Sequence, residues 1–156
     1  MTKDPLKYVQ LLLRYRLRSE RELRLRMKMK GFSEEDIESA IHYLKQVGLL
    51  NDKILTEELY DRYISRGVSP RKAVKLLKRI GLEGEQLKNM ESKQVPREIL
   101  EKIISKVTKG NKVLSPRDFR RVLNKLIYLG YNYGEARQII EELGYVLKFS
   151  GFVEEE

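Results

Sequence analysis

The chain has no cysteine, no tryptophan and a single histidine in 156 residues. Without cysteine there are no disulfides, thiolate metal ligands or thiol nucleophiles. One histidine cannot supply the paired imidazoles of a common catalytic zinc site. No apolar run exceeds a few residues, far short of the roughly 20 a spanning helix needs. The opening MTKDPLKY lacks the apolar stretch of a secretory signal, so a cytoplasmic protein that stays off membranes is expected. Neither GxGxxG nor a GxxxxGK loop ending in Ser or Thr occurs, which removes the usual phosphate-cradling loops. The clustered carboxylates Glu34, Glu35 and Asp36 suit the first turn of a helix and need no catalytic role. No cofactor, metal or enzymatic activity is expected.

What is abundant is charge. Thirty-two Lys and Arg face 23 Asp and Glu, for a net charge of +9. The excess is concentrated: residues 14–30, 66–79 and 106–125 each carry +6, so the rest of the chain is acidic. Clustered positive charge steers and holds a polyanion, releasing its counterions. Solvated helix faces are the bland alternative.

The chain also repeats. Gly31-Phe32, Gly81-Leu82 and Gly130-Tyr131 are spaced by 50 and 49 residues. Four residues before each Gly lie Met27, Leu77 and Leu126; eight before lie Leu23, Ala73 and Val122; six after lie Ile37, Leu87 and Ala136. One supersecondary unit used three times explains this. Asp4-Pro5, Ser19 with Glu22, Ser33 with Asp36, Ser69-Pro70, Ser115-Pro116 and Asn132 with Glu135 mark helix starts. Apolar residues at i, i+3, i+4 and i+7 follow them. The helix near 84–91 has the weakest pattern, and no segment reads as a strand with a partner. The apolar tail Tyr145–Val153 is expected to pack against the third unit. The expected fold is all-α, an elongated, curved tandem of three three-helix units at 1–48, 49–93 and 94–156, the last with the tail.

Ten residues before each Gly stands an arginine, Arg21, Arg71 or Arg120. Helical geometry puts this position opposite an apolar one, facing solvent. Lys28 and Lys78 lie two turns along the same face, joined by Arg24 and Lys75. With Arg14, Arg16, Arg18, Arg117 and Arg121 from the same basic windows, these are the candidate contacts to phosphate. Pairing with glutamates of adjacent helices is the structural alternative. Leu25 and Met29 fall opposite Leu23 and Met27, which predicts a helix sandwiched between neighbours. Tyr15, Tyr60, Tyr63 and Tyr128 sit at or beside core-spaced positions and are expected to pack.

The stretch YRLRSERELRLRMKMKGF at 15–32 resembles the opening signature of the RecX family, regulators of the bacterial RecA recombinase. The resemblance continues through GLLND at 48–52 and RYISRGVSPRKAVKLLKRIGL at 62–82, and is fainter in KLIYLGYNYGEARQII at 125–140. Asn51-Asp52 stands where the family often has two Asp, and the third unit carries a lengthened basic linker, Lys106–Lys112. The resemblance implies a monomer that binds in the groove of the RecA–DNA filament, with weak, salt-dependent affinity for single- and double-stranded DNA. It would limit filament extension and lower ATPase, strand-exchange and co-protease activity. A helix-turn-helix DNA-binding protein and a structural RNA-binding protein are the alternatives. The few Asn or Gln on the basic faces and the three dissimilar copies argue against a sequence reader.

Overall fold

The computed structural model describes residues 4–148. Among them are nine helices: α1 (Pro5–Tyr15), α2 (Glu20–Lys30), α3 (Glu34–Gln46), α4 (Asp52–Ser65), α5 (Pro70–Arg79), α6 (Glu85–Glu91), α7 (Arg97–Thr108), α8 (Pro116–Tyr128) and α9 (Tyr133–Glu142). The protein is all-α, and its helices follow one another in three triplets.

Local chemistry sets the starts. Asp4, Ser19, Ser33, Ser115 and Asn132 each take extended backbone and accept from amides of the first turn that have no helical partner. Asn132 and Glu135 close a full capping box, whereas Glu22 turns away from Ser19 toward Arg16 and Arg18. Ends are set by glycine: Gly31, Gly81 and Gly130 have φ of +99°, +97° and +108°, a region costly for any residue with a Cβ.

The described chain divides into two compact units. One combines the segment up to Arg62 with Val74–Asn89; the other combines Tyr63–Ala73 with the segment from Met90 onward. Each helix of the middle triplet therefore contributes to both. In the first unit α1, α2 and α3 enclose Val9, Leu23, Met27, Ile37, Ile41 and Leu44. In the second, α7, α8 and α9 enclose Leu100, Ile104, Val122, Leu126, Ala136 and Ile140. The repeat positions four and eight before each glycine are all fully buried.

Four expectations need correction. The tail does not lack a strand partner: β1 (Val113–Leu114) and β2 (Val146–Leu147) form a two-residue parallel ladder. The Val146 amide donates to Lys112 O and the Lys148 amide to Leu114 O. Two residues are too few to show an alternation. Beyond Lys148 the tail lies outside the described residues. Lys106 belongs to α7 rather than to a linker. Leu25 and Met29 are not sandwiched; they are 57% and 76% exposed. Tyr15 and Tyr128, expected to pack, are exposed as well, while Tyr60 is buried.

Candidate polyanion-binding surface

Five of the twelve nominated cations already have protein partners that fix them. Arg18 is 8% exposed and so is not the solvent-facing contact expected of it. Its Nε donates to Leu12 O at 3.3 Å and its guanidinium pairs with Glu22. A buried charge must be matched this way. Arg16 holds the same carboxylate from the outer side. Arg24 bridges Glu20 on its own helix, at 2.9 Å, and Glu38 on α3. The Glu38 carboxylate raises its pKa further. Lys45 completes the network at 2.7 Å from Glu20. Burial pushes Glu20 up, but Lys45 and Arg24 outweigh it and leave the carboxyl below its ordinary value.

Arg21 and Arg71 hold the end of a later helix. Within the first unit, Arg21 Nη2 donates to Arg79 O at 3.3 Å and Ser19 Oγ donates to Ile80 O. Within the second, Arg71 Nη2 donates to Gly130 O at 3.0 Å and pairs with Glu135 at 2.9 Å. Lys72 Nζ donates to Tyr128 O at 2.5 Å, and the Ser69 amide to Leu129 O at 2.8 Å. The start of one middle helix thus supplies donors to the orphan carbonyls ending the next. Arg71 depresses the Glu135 carboxyl, with help from the Asn132 amide. Arg21 keeps an exposed side chain, as expected, but Arg71 is only half exposed.

The other seven, Arg14, Lys28, Lys75, Lys78, Arg117, Arg120 and Arg121, are exposed. Apart from a long 3.5 Å contact between Arg121 and Asp118, none has a side-chain hydrogen bond or ion pair among the described residues.

The second unit adds a site that the sequence reading did not nominate. A cleft of about 720 Å³ is lined by Arg66 at the end of α4, Lys102 and Lys106 on α7, and Arg121 and Lys125 on α8, with one carboxylate, Glu98. Ile99, Ile103 and Val107 supply its apolar lining. Beside it, Tyr128 is 65% exposed, with the ammonium groups of Lys72 and Lys125 at 4.6 and 5.7 Å from its ring centroid. The signal was present in the spacing: Lys102 with Lys106, and Arg121 with Lys125, are i, i+4 pairs. Their convergence from different helices was not readable. Chemically the cleft can take a polyanion carrying flat apolar groups, because cations and apolar side chains line it together beside an exposed aromatic face.

Comparison with known proteins agrees with this architecture. Residues 11–44 match the family described as RecX, first three-helix domain. Regulatory protein RecX of Amycolatopsis mediterranei is 31% identical over 139 residues, covering 84% of this chain and 78% of the relative. The protein of the same name from Clostridium perfringens is 32% identical over 135 residues, 81% of this chain and 62% of the relative. The crystal structure of RecX from Lactobacillus salivarius superposes with a TM-score of 0.64 at 19% identity, covering 89% of this chain and 94% of that one. No helix of the described residues is long and apolar enough to cross a membrane. On its sequence, its triplets of helices and its relatives, this chain belongs to the RecX family of regulatory proteins.

Proposed function

We propose that the protein regulates the RecA recombinase, mainly as an inhibitor, by binding in the groove of the RecA–DNA filament and limiting its extension. ATPase, strand-exchange and co-protease activity fall as a consequence. The observation that carries this reading is a set of exposed cations on a chain of the RecX family, all but Arg121 without a carboxylate partner among the described residues. Lys75, Lys78 and Arg120, with Arg14, Lys28 and the cleft residues Arg66, Lys102, Lys106, Arg121 and Lys125, contact phosphates or acidic partner groups. Arg18, Arg21, Arg24 and Arg71 support the fold that carries them.

The test is equilibrium binding to a RecA filament on single-stranded DNA, to equal-length naked DNA and to RNA, across salt concentration. Neutralising about six phosphates gives a log–log salt slope of about −5 on duplex DNA, and less on single strands. The expected result is preference for the filament, with a slope that flattens by one to three when Lys102, Lys106 and Lys125 are changed to Glu. Equal affinity for naked DNA would favour the helix-turn-helix reading. An unchanged slope and undiminished inhibition by the triple variant would refute the assignment of these residues.

A further inference from the structure

The joint that links successive middle helices is present twice and is left open at both ends of the series. The acceptor in each case is a helix end closed by a left-handed glycine. A Cβ added at Gly81 would lie 2.7–3.2 Å from Arg21, and one at Gly130 would lie 2.4 Å from Ser69 Oγ and 2.5 Å from Lys72 Cβ. At Gly31, with almost the same φ, such an atom would meet nothing within 4 Å. The donor is a capping serine followed two residues later by arginine: Ser19 and Arg21, Ser69 and Arg71, Ser115 and Arg117. Ser19 and Ser69 are 0% and 2% exposed, whereas Ser115 and Arg117 are exposed. Counting from the glycine pairs Arg120 with Arg71. Counting from the cap pairs Arg117 with it, because α8 is 13 residues long and α5 is 10.

We propose that these two open ends fit each other between two copies of the chain. The α8 start of one copy, Ser115 to Arg117, docks on the α2 end of another, at Gly31. Charge complementarity identifies the occupant. In the closed joint of the second unit Arg71 pairs with Glu135, five residues after Gly130. Five residues after Gly31 stands Asp36, exposed beside Glu34 and Glu35, and none of the three has an ion pair among the described residues. Arg117 is an exposed cation without a partner to meet them. Lys30, adjacent to Gly31, has its ammonium 5.5 Å from the Tyr8 ring centroid, and the three carboxylates Glu34, Glu35 and Asp36 outnumber it at this helix end. The contact is heterologous, so it propagates head to tail. This inference is independent of which polyanion or filament the protein binds.

The absence of native cysteine allows a clean test with the full chain. D36C and R117C variants are mixed under mild oxidation and compared with R117C mixed with E58C, a cysteine on the exposed face of α4. The expected result is at least tenfold faster cross-linking of the first pair. Charge reversal gives the second readout, sedimentation equilibrium over rising protein concentration. R117E and D36R each lower the association constant at least tenfold relative to the unmodified chain, and an equimolar mixture of the two recovers it, since each then meets its opposite. Equal cross-linking rates for the two pairs, or a mixture that stays as monomeric as its components, would overturn the proposal. A helix end of another protein as the occupant would give that same result.

Discussion

The three repeat glycines allow the cost of a backbone conformation to be separated from the cost of a close approach. Gly31 and Gly81 lie in the same unit, end equivalent helices and have φ of +99° and +97°. Replacing either by alanine puts a Cβ where left-handed backbone costs about 1–2 kcal/mol, part of it offset by about 0.4–1 kcal/mol from the stiffer unfolded chain. At Gly31 that is all, since the added atom meets nothing. At Gly81 it also lies 2.8 Å from Arg21 Cβ and 2.7 Å from Arg21 Nε. Nε can swing away, but Cβ is fixed to the α2 backbone, so overpacking adds about 1–3 kcal/mol. G81A should therefore be less stable than G31A by at least about 1 kcal/mol in urea unfolding. The clash predicts a specific coupling: R21G removes the obstructing side chain, so R21G and G81A together cost less than their sum by about 1 kcal/mol, whereas R21G and G31A simply add. Equal costs for G31A and G81A, or additivity in both pairs, would refute the claim that Arg21 closes a joint on Gly81.

Three further perturbations probe individual groups. R18A should destabilise the first unit by about 1–3 kcal/mol, because Leu12 O loses its part-buried donor while Arg16 still holds the Glu22 carboxylate; R16A, removing the exposed partner of the same carboxylate, should cost under about 1 kcal/mol in the same denaturation assay. Burial raises the Asp52 carboxyl pKa, the Glu20 amide opposing the shift. An acid raised on folding contributes stability present below its unfolded value and lost as pH rises through the folded one. D52N keeps an acceptor for that amide, so its stability relative to the unmodified chain should increase from pH 3 to pH 7, and a flat difference would contradict this. Glu135 is lowered by Arg71, so its contribution holds at neutral pH and disappears as pH falls through the folded value, below 4.5. E135Q should weaken the second unit at pH 7 and converge with the unmodified chain in strong acid, as followed by thermal unfolding across pH.

Cap and stripe were legible in the sequence because both are local. Asp4, Ser19, Ser33, Ser115 and Asn132 announce their helices within four residues, and the positions four and eight before each repeat glycine are buried in every copy. What was not legible depends on pairs distant in sequence. Arg21 and Arg71 read as free because their acceptors, Arg79 O and Gly130 O, lie 58 and 59 residues away and are backbone atoms that no side-chain pattern marks. The glycine register matched Arg120 rather than Arg117 to these two, since α8 starts about one turn earlier relative to its glycine than α2 and α5 do. Tyr128 falls at a core-like spacing yet faces solvent among lysines, because periodicity gives an angle around a helix without saying what lies at that angle. The β1–β2 ladder joins residues 33 apart, too short and too separated for either strand to show.

The alternation of basic and acidic blocks also takes a different meaning once the helices are placed. Helix C-termini favour cations and N-termini favour anions. A chain of short helices joined by tight glycine turns therefore alternates in sign with no ligand at all. Lys28 and Lys30 close α2 and Glu34, Glu35 and Asp36 open α3; Lys78 and Arg79 close α5 and Glu85 opens α6; Lys125 closes α8 and Glu135 opens α9. Much of each basic window is thus accounted for by the helix ends it contains, and the joints absorb Arg21 and Arg71. The cations that neither role explains lie away from helix ends and are unmatched by carboxylates among the described residues; Lys75, Lys102 and Arg120 are of this kind, as are Arg26 and Arg137. Cations of this kind, rather than the net charge of +9, are the strongest support for the proposed polyanionic partner, because neither the helix ends nor the joints account for them.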